Sequence, residues 1–148
     1  MKVSQSVAIA ALLTGLVGSL PPLTAQSAGT FSARLEWVPT TPRERPDVAG
    51  KGTATAMLSG NRLSVSGSFE GLPAAATVVR LHRGVATGAR GPVITDLVVT
   101  RGTSGTISGT AELSPQHQDD LRRGRLYLQL HSEKGVEDGS TLWGWFLE

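Results

Sequence analysis

The chain contains no cysteine. No disulfide can staple it, no thiolate can hold a metal, and neither a thiol nucleophile nor a cysteine-linked lipid is open to it. Aromatic residues make up only 5% of it and histidine occurs three times. The first scarcity removes the stacking platforms that single-stranded nucleic acid requires. The second removes the many imidazoles of a dinuclear, dismutase-like metal centre. No excess of one charge stands out either, since 14 Lys and Arg face 12 Asp and Glu, a formal +2. The arginines are scattered except around Arg122, Arg123 and Arg125. Nucleic acid is therefore not an expected partner.

Sequence signatures of catalysis are missing too. There is no Gly-x-Ser-x-Gly elbow, which a strand-borne serine nucleophile uses. The glycine-rich stretch Gly84–Gly91 lacks the Lys-Ser/Thr ending of a phosphate loop. The adjacent carboxylates Asp119-Asp120 and Glu137-Asp138 belong to no acid–base motif. The expectation is a protein that is not an enzyme, with no catalytic residue and no cofactor.

Long hydrophobic runs are also lacking. An apolar stretch from Val7 to Leu20 follows Lys2, is interrupted by Gly15 and Gly18, and gives way to Pro21, Pro22 and the small residues near Ala25–Ala28. It falls short of the roughly 20 residues that cross a bilayer as a helix. The pattern predicts a secretory signal peptide over residues 1–28, cleaved near residues 25–28. The expected product is exported, periplasmic or secreted, with no membrane span in its mature form. Residues 29–148 then suffice for one domain with one core and are too few for two.

What is present is a periodicity of two, punctuated by Gly, Asn, Ser and Pro. It predicts eight short strands, near Thr30–Val38, Gly52–Leu58, Arg62–Phe69, Thr77–Arg83, Val93–Val99, Gly105–Leu113, Arg125–Ser132 and Thr141–Leu147. Ser59-Gly60-Asn61 marks a tight turn and Arg101–Gly105 a looser one. Ser114 as cap, Pro115 at the first helical position and Gly124 at the exit predict one short crossover helix, with Leu121 as its core anchor and Gln116 to Asp120 solvated. The expected fold is all-β, an antiparallel Greek-key-like β-sandwich.

Alternation assigns faces, because residues two apart on a strand point the same way. Leu63, Val65, Phe69, Val79, Leu81, Ile107, Ala111, Leu113, Leu126, Leu128 and Leu130 form the inward rows. Arg80 and His82 on one strand, and Arg125, Tyr127, Gln129 and His131 on another, face outward. With those strands adjacent, Arg80, His82, Gln129 and His131 make one polar patch. Trp143 and Trp145 share a face of the last strand, and burial of Phe146 would turn them outward.

An ordered set of short motifs carries a family resemblance. The opening Phe31-Ser32-Ala33-Arg34-Leu35 with Glu36, Val38 and Pro39, the strand Gly50–Ala56, and Ser68-Phe69-Glu70-Gly71-Leu72 come first. Leu81-His82-Arg83-Gly84, Gly88 and Gly91-Pro92-Val93 follow, then Leu113-Ser114, Leu121, Gly124 and Leu126–Ser132. Together they resemble the chordin-type (CHRD) domain, a family of extracellular and bacterial exported β-domains. The resemblance implies a free-standing, exported bacterial-type member and supplies no established molecular activity for one. Two positions depart from the family pattern: Arg80 stands where the first histidine of His-x-His is common, and Trp143-Gly144 where Arg-Gly is common.

Three functional readings follow. The first is a non-catalytic binding or structural module for an extracytoplasmic protein or surface ligand, working through the loops Pro39–Gly50, Gly84–Gly91 and Glu133–Gly139. The second is a periplasmic copper- or zinc-binding protein, with His82 and His131 as ligands beside a carboxylate such as Asp96 or Glu133. Strand-end histidines in ordinary hydrogen bonds are the plainer account of the same two residues. The third is a module that self-associates through its C-terminal strand, with Trp143 and Trp145 as the interface.

Overall fold

A computed structural model describes residues 28–148. The expected signal peptide falls almost wholly within residues 1–27, outside the described residues. Eight strands run in the order β1 (Ala28–Trp37), β2 (Lys51–Ser59), β3 (Arg62–Glu70), β4 (Ala76–Arg83), β5 (Val93–Val99), β6 (Gly105–Glu112), β7 (Leu126–Val136) and β8 (Ser140–Trp145). The helix α1 (Pro115–Arg122) separates β6 from β7, and a single 3-10 turn lies at Arg45–Asp47.

All ladders are antiparallel, and the strands close into a barrel in the order β1-β2-β3-β6-β5-β4-β7-β8. This corrects the sandwich expectation. Two strands act as corners. β5 pairs with β4 from Val93 to Leu97 and then with β6 at Val98 and Val99. β1 pairs with β2 from Ala28 to Leu35 and then with β8 at Glu36 and Trp37. Sharing the corner strands joins what would be two sheets and removes their open edges. Alternation cannot separate the two architectures, because both bury every second residue. The Greek-key element survives as the order β3-β6-β5-β4, with α1 crossing from β6 to β7.

Local chemistry accounts for the turns. Ser59 pairs with Arg62, so β2 and β3 are joined by the two-residue turn Gly60-Asn61, and Gly60 takes the left-handed φ of +62°. At the start of α1 the Ser114 hydroxyl accepts from the His117 N–H at 3.2 Å, and Pro115 fills a position whose N–H needs no partner.

Every residue placed inward by alternation lies in the barrel core, together with Phe31, Leu35, Leu142 and Phe146. Leu121 closes the core from the helix. Asp120 corrects the expectation of a solvated helix. Its carboxylate is 4% exposed and accepts from Arg83 Nε at 2.5 Å and Arg125 Nη1 at 3.4 Å. Those contacts fasten the helix to the end of β4 and the start of β7. A second, smaller core of Val38, Val48 and Val136, with Trp143 against it, lies apart from the first.

Candidate functional site

The second core belongs to a face that is geometrically the outside of the barrel. Across β4, β7 and β8 the register aligns His82 with Tyr127 and Trp145, then Arg80 with Gln129 and Trp143. His131 lies one row further, opposite Val78. The patch of Arg80, His82, Gln129 and His131 is thus assembled on one outer face. Phe146 is fully buried in the barrel, and Trp143 and Trp145 accordingly turn outward onto the same face.

This face is covered rather than solvated. His82 is 8% exposed, His131 and Gln129 are 5% exposed, and Tyr127 is fully buried. Tyr127 is the centre of an aromatic stack: its ring lies 4.8 Å from His82 at 17° and 4.8 Å from Trp145 at 24°. Trp143 meets Trp145 edge-on at 4.7 Å.

Three loops make the cover, and they are the three that composition singles out. In the first, the Trp37 indole N–H donates to the Gly50 carbonyl at 2.8 Å while Arg45 stacks over the Trp37 ring. In the second, between β4 and β5, Gly91 lies so close to β4 that a Cβ there would overlap the Arg83 carbonyl oxygen. The third is the bulged end of β7, where His131 and Val136 both pair with Ser140 and the residues between them loop out. Glu137 and Asp138 there take φ of +28° and +59°, conformations that cost non-glycine residues strain. Arg90 of the second loop clasps the third, donating to Glu137 at 2.6 Å with its guanidinium over Trp143. A groove of about 600 Å³ opens where the three loops meet, lined among others by Thr41, Glu44, Arg90, Val136 and Glu137. Hydrogen bonds from the Thr41 hydroxyl and N–H hold the Glu44 carboxyl below its ordinary range.

Each histidine is tied to a loop through one ring nitrogen. His82 Nδ1 lies 2.9 Å from the Gly91 carbonyl oxygen, and His131 Nδ1 lies 3.1 Å from that of Asp138. A carbonyl only accepts, so both Nδ1 atoms carry the proton and each neutral ring presents a bare lone pair at Nε2. Both Nε2 atoms are buried without a hydrogen-bond partner among the described residues, as is the Trp145 Nε1. Burial pushes both imidazoles below their ordinary value of 6.5. The carbonyl bonds oppose that shift, Arg80 and Arg90 reinforce it, and Asp138 opposes it at His131. The two histidines also disfavour each other's charge, an effect that further lowers His82.

As a metal centre the set is incomplete. Among the described residues no three His, Asp or Glu side chains come together as a ligand group. Asp96 stands opposite Arg80 and accepts from its Nε at 3.1 Å, and Glu133 is exposed. Four residues of strand, about 13 Å at the usual rise, separate the backbone of His82 from the position opposite His131. A cation would also meet the guanidiniums of Arg80 and Arg90. β8 is paired on both sides, with β7 and β1, so the last strand offers no long open edge for self-association.

Sequence reasoning places Tyr127 on this face without seeing its central role, and it misses Arg90 altogether. The alternation around Gln129 is the signal for the first; an arginine in a loop carries none. The family model of the CHRD domain matches residues 31–137, most of the chain. The chain belongs to the CHRD domain family. No curated protein and no solved structure matches it. The matched stretch holds Arg80, His82, Gln129 and His131, while Trp143 and Trp145 lie beyond it.

Proposed function

We propose that this CHRD-family chain is an exported, non-catalytic binding or structural module whose contact surface is the loop-covered outer face of β4, β7 and β8. Its partner is an extracytoplasmic protein or surface ligand. The observation that carries the reading is the trio of buried nitrogens without partners on that face, His82 Nε2, His131 Nε2 and Trp145 Nε1. Leaving such a group unpaired costs about 1–3 kcal/mol, and a face that served packing alone would have apolar atoms in their place. The barrel interior supports the same choice, since side chains from all eight strands fill it.

Site-specific photo-crosslinking tests this in the extracytoplasmic fraction of the producing cell. A photo-reactive residue is placed at Val85 in the covering loop, or at Ser66 on the exposed outer face of β3, both solvent-facing positions. Discrete adducts from Val85 and none from Ser66 support the reading. Adducts from Ser66 alone, or from neither position, overturn it.

A further inference from the structure

Part of the loop cover is held through the ring nitrogens of His82 and His131. Between Gly84 and Gly91 the backbone is tied at its ends, by Gly84 N–H to Arg125 and Arg83 N–H to Pro92, with a single internal bond from Ala89 to Ala86. Its remaining attachments to the face are side-chain contacts: His82 and Tyr127 on Gly91, Thr87 on Gly124, and Arg90 on Glu137 and Trp143. The turn at Glu137 and Asp138 is strained and offers its Asp138 carbonyl to His131, while N–H or hydroxyl groups of Ser132, Ser140 and Thr141 donate to its Lys134, Glu137 and Gly139 carbonyls. By contrast, the strands beneath are locked into a closed ladder.

We infer that the loops Gly84–Pro92 and Glu133–Gly139 form a proton-released cover, which protonation of His82 and His131 opens to expose the face beneath. The inference rests on the reading of that face as the contact surface and adds its regulation. A proton entering either ring must go to Nε2, since Nδ1 already carries one. In the closed form the new N–H lies out of solvent with no acceptor among the described residues. The groups facing the rings give it little relief. Arg80, from β4 itself, is positive and is paired with Asp96 of β5. Arg90, from the covering loop, is positive and paired with Glu137. Tyr127 and the two tryptophans bring no carboxylate, and Asp138 is the one anion that favours a charge on His131. Opening of the loops hydrates both imidazoliums while the strands beneath stay paired in the closed ladder.

Hydrogen exchange of the protein followed by mass spectrometry, from pH 7.5 to pH 5 and corrected for the intrinsic pH dependence of exchange, reads the opening directly. Peptides covering the two loops should gain open population across that range, on the order of tenfold, with the sign that linkage to a buried imidazole sets. Peptides from β2 and β3 should not change. In the His82→Gln/His131→Gln double variant the loop response should vanish. Where that variant fails to fold, the wild-type imidazole C–H resonances supply the check: their titration midpoints must fall below 6.5 and coincide with the rise in loop exchange. Loop exchange independent of pH, a uniform rise that includes β2 and β3, or a response that persists in a folded double variant each overturns the inference. No partner is needed for this measurement, so the two proposals fail separately. Opening without crosslinked adducts at any pH removes the contact surface and leaves the switch; adducts with pH-independent exchange do the reverse.

Discussion

Tyr127 and Gly91 are joined across the outer face of the barrel: the phenol oxygen accepts from the Gly91 N–H at 3.1 Å and donates to the Gly91 carbonyl at 3.4 Å. That carbonyl also takes the Nδ1 proton of His82. One backbone residue of the covering loop is therefore the anchor for two rings on two strands.

Replacing Tyr127 with Phe keeps the stack with His82 and Trp145 but strands the Gly91 N–H. The expected loss is about 1 kcal/mol in urea unfolding. Tyr127→Ala removes a fully buried ring and should cost about 3–5 kcal/mol. Equal losses for the two variants would show that the hydroxyl and not the stack dominates.

Gly91→Ala tests the close approach of loop and strand. The added methyl collides with the Arg83 carbonyl, which backbone cannot easily yield. Exchange of the Gly84–Gly91 amides should rise sharply, with the β2–β3 hairpin unaffected. Unchanged loop protection would mean that the loop does not press this closely on β4.

Asp120→Asn breaks a buried carboxylate away from two arginines. With the guanidiniums of Arg83 and Arg125 about a third exposed, the penalty is set below that of a fully buried pair, at about 2–3 kcal/mol. Thermal unfolding measures it. A change within 0.5 kcal/mol, the usual range for a surface substitution, would place Asp120 among the solvated residues of the helix after all.

Stability should depend on pH through the two histidines. Both imidazoles are lowered in the folded protein by burial first, against an ordinary value of 6.5. The unfolded chain then binds more protons than the folded one as pH drops below 6.5. The contribution is fully present above that value and is lost as pH falls through the lowered folded values. Denaturant midpoints from pH 8 to pH 5 should decline below about 6.5, and the decline should shrink in the His82→Gln/His131→Gln variant.

Copper and zinc should leave the protein's melting temperature unchanged. A metal bound by the folded form alone raises stability by mass action, whereas His82 and His131 lack a converging third ligand and face two guanidiniums. A stabilisation that saturates at one equivalent and disappears in the histidine double variant would restore the metal reading.

Much of this molecule is legible from local pattern. The strand Val93–Val99 and the start of Arg62–Glu70 fall where alternation puts them, and Ser114, Pro115 and Gly124 bound the helix as their backbone preferences require. The outward set Arg80, His82, Gln129 and His131 follows from the same alternation. Closure into a barrel does not, because it depends on β1 and β5 each changing neighbour partway along. Nor does the fate of the outward set. Whether an outer face is wet is decided by contacts such as Arg90 to Glu137, 47 residues apart, and the burial of Asp120 on the helix by its finding Arg83, 37 residues away. Neither pairing leaves a mark in the spacing of its own segment.

The protonation of His82 and His131 sets whether the cover stays closed, and long-range ¹H–¹⁵N NMR spectra of the imidazoles measure it directly. At pH 7.5 both rings should carry their proton on Nδ1, with Nε2 unprotonated, and both should titrate below 6.5. A proton on Nε2 at neutral pH, or midpoints at or above 6.5, would contradict it.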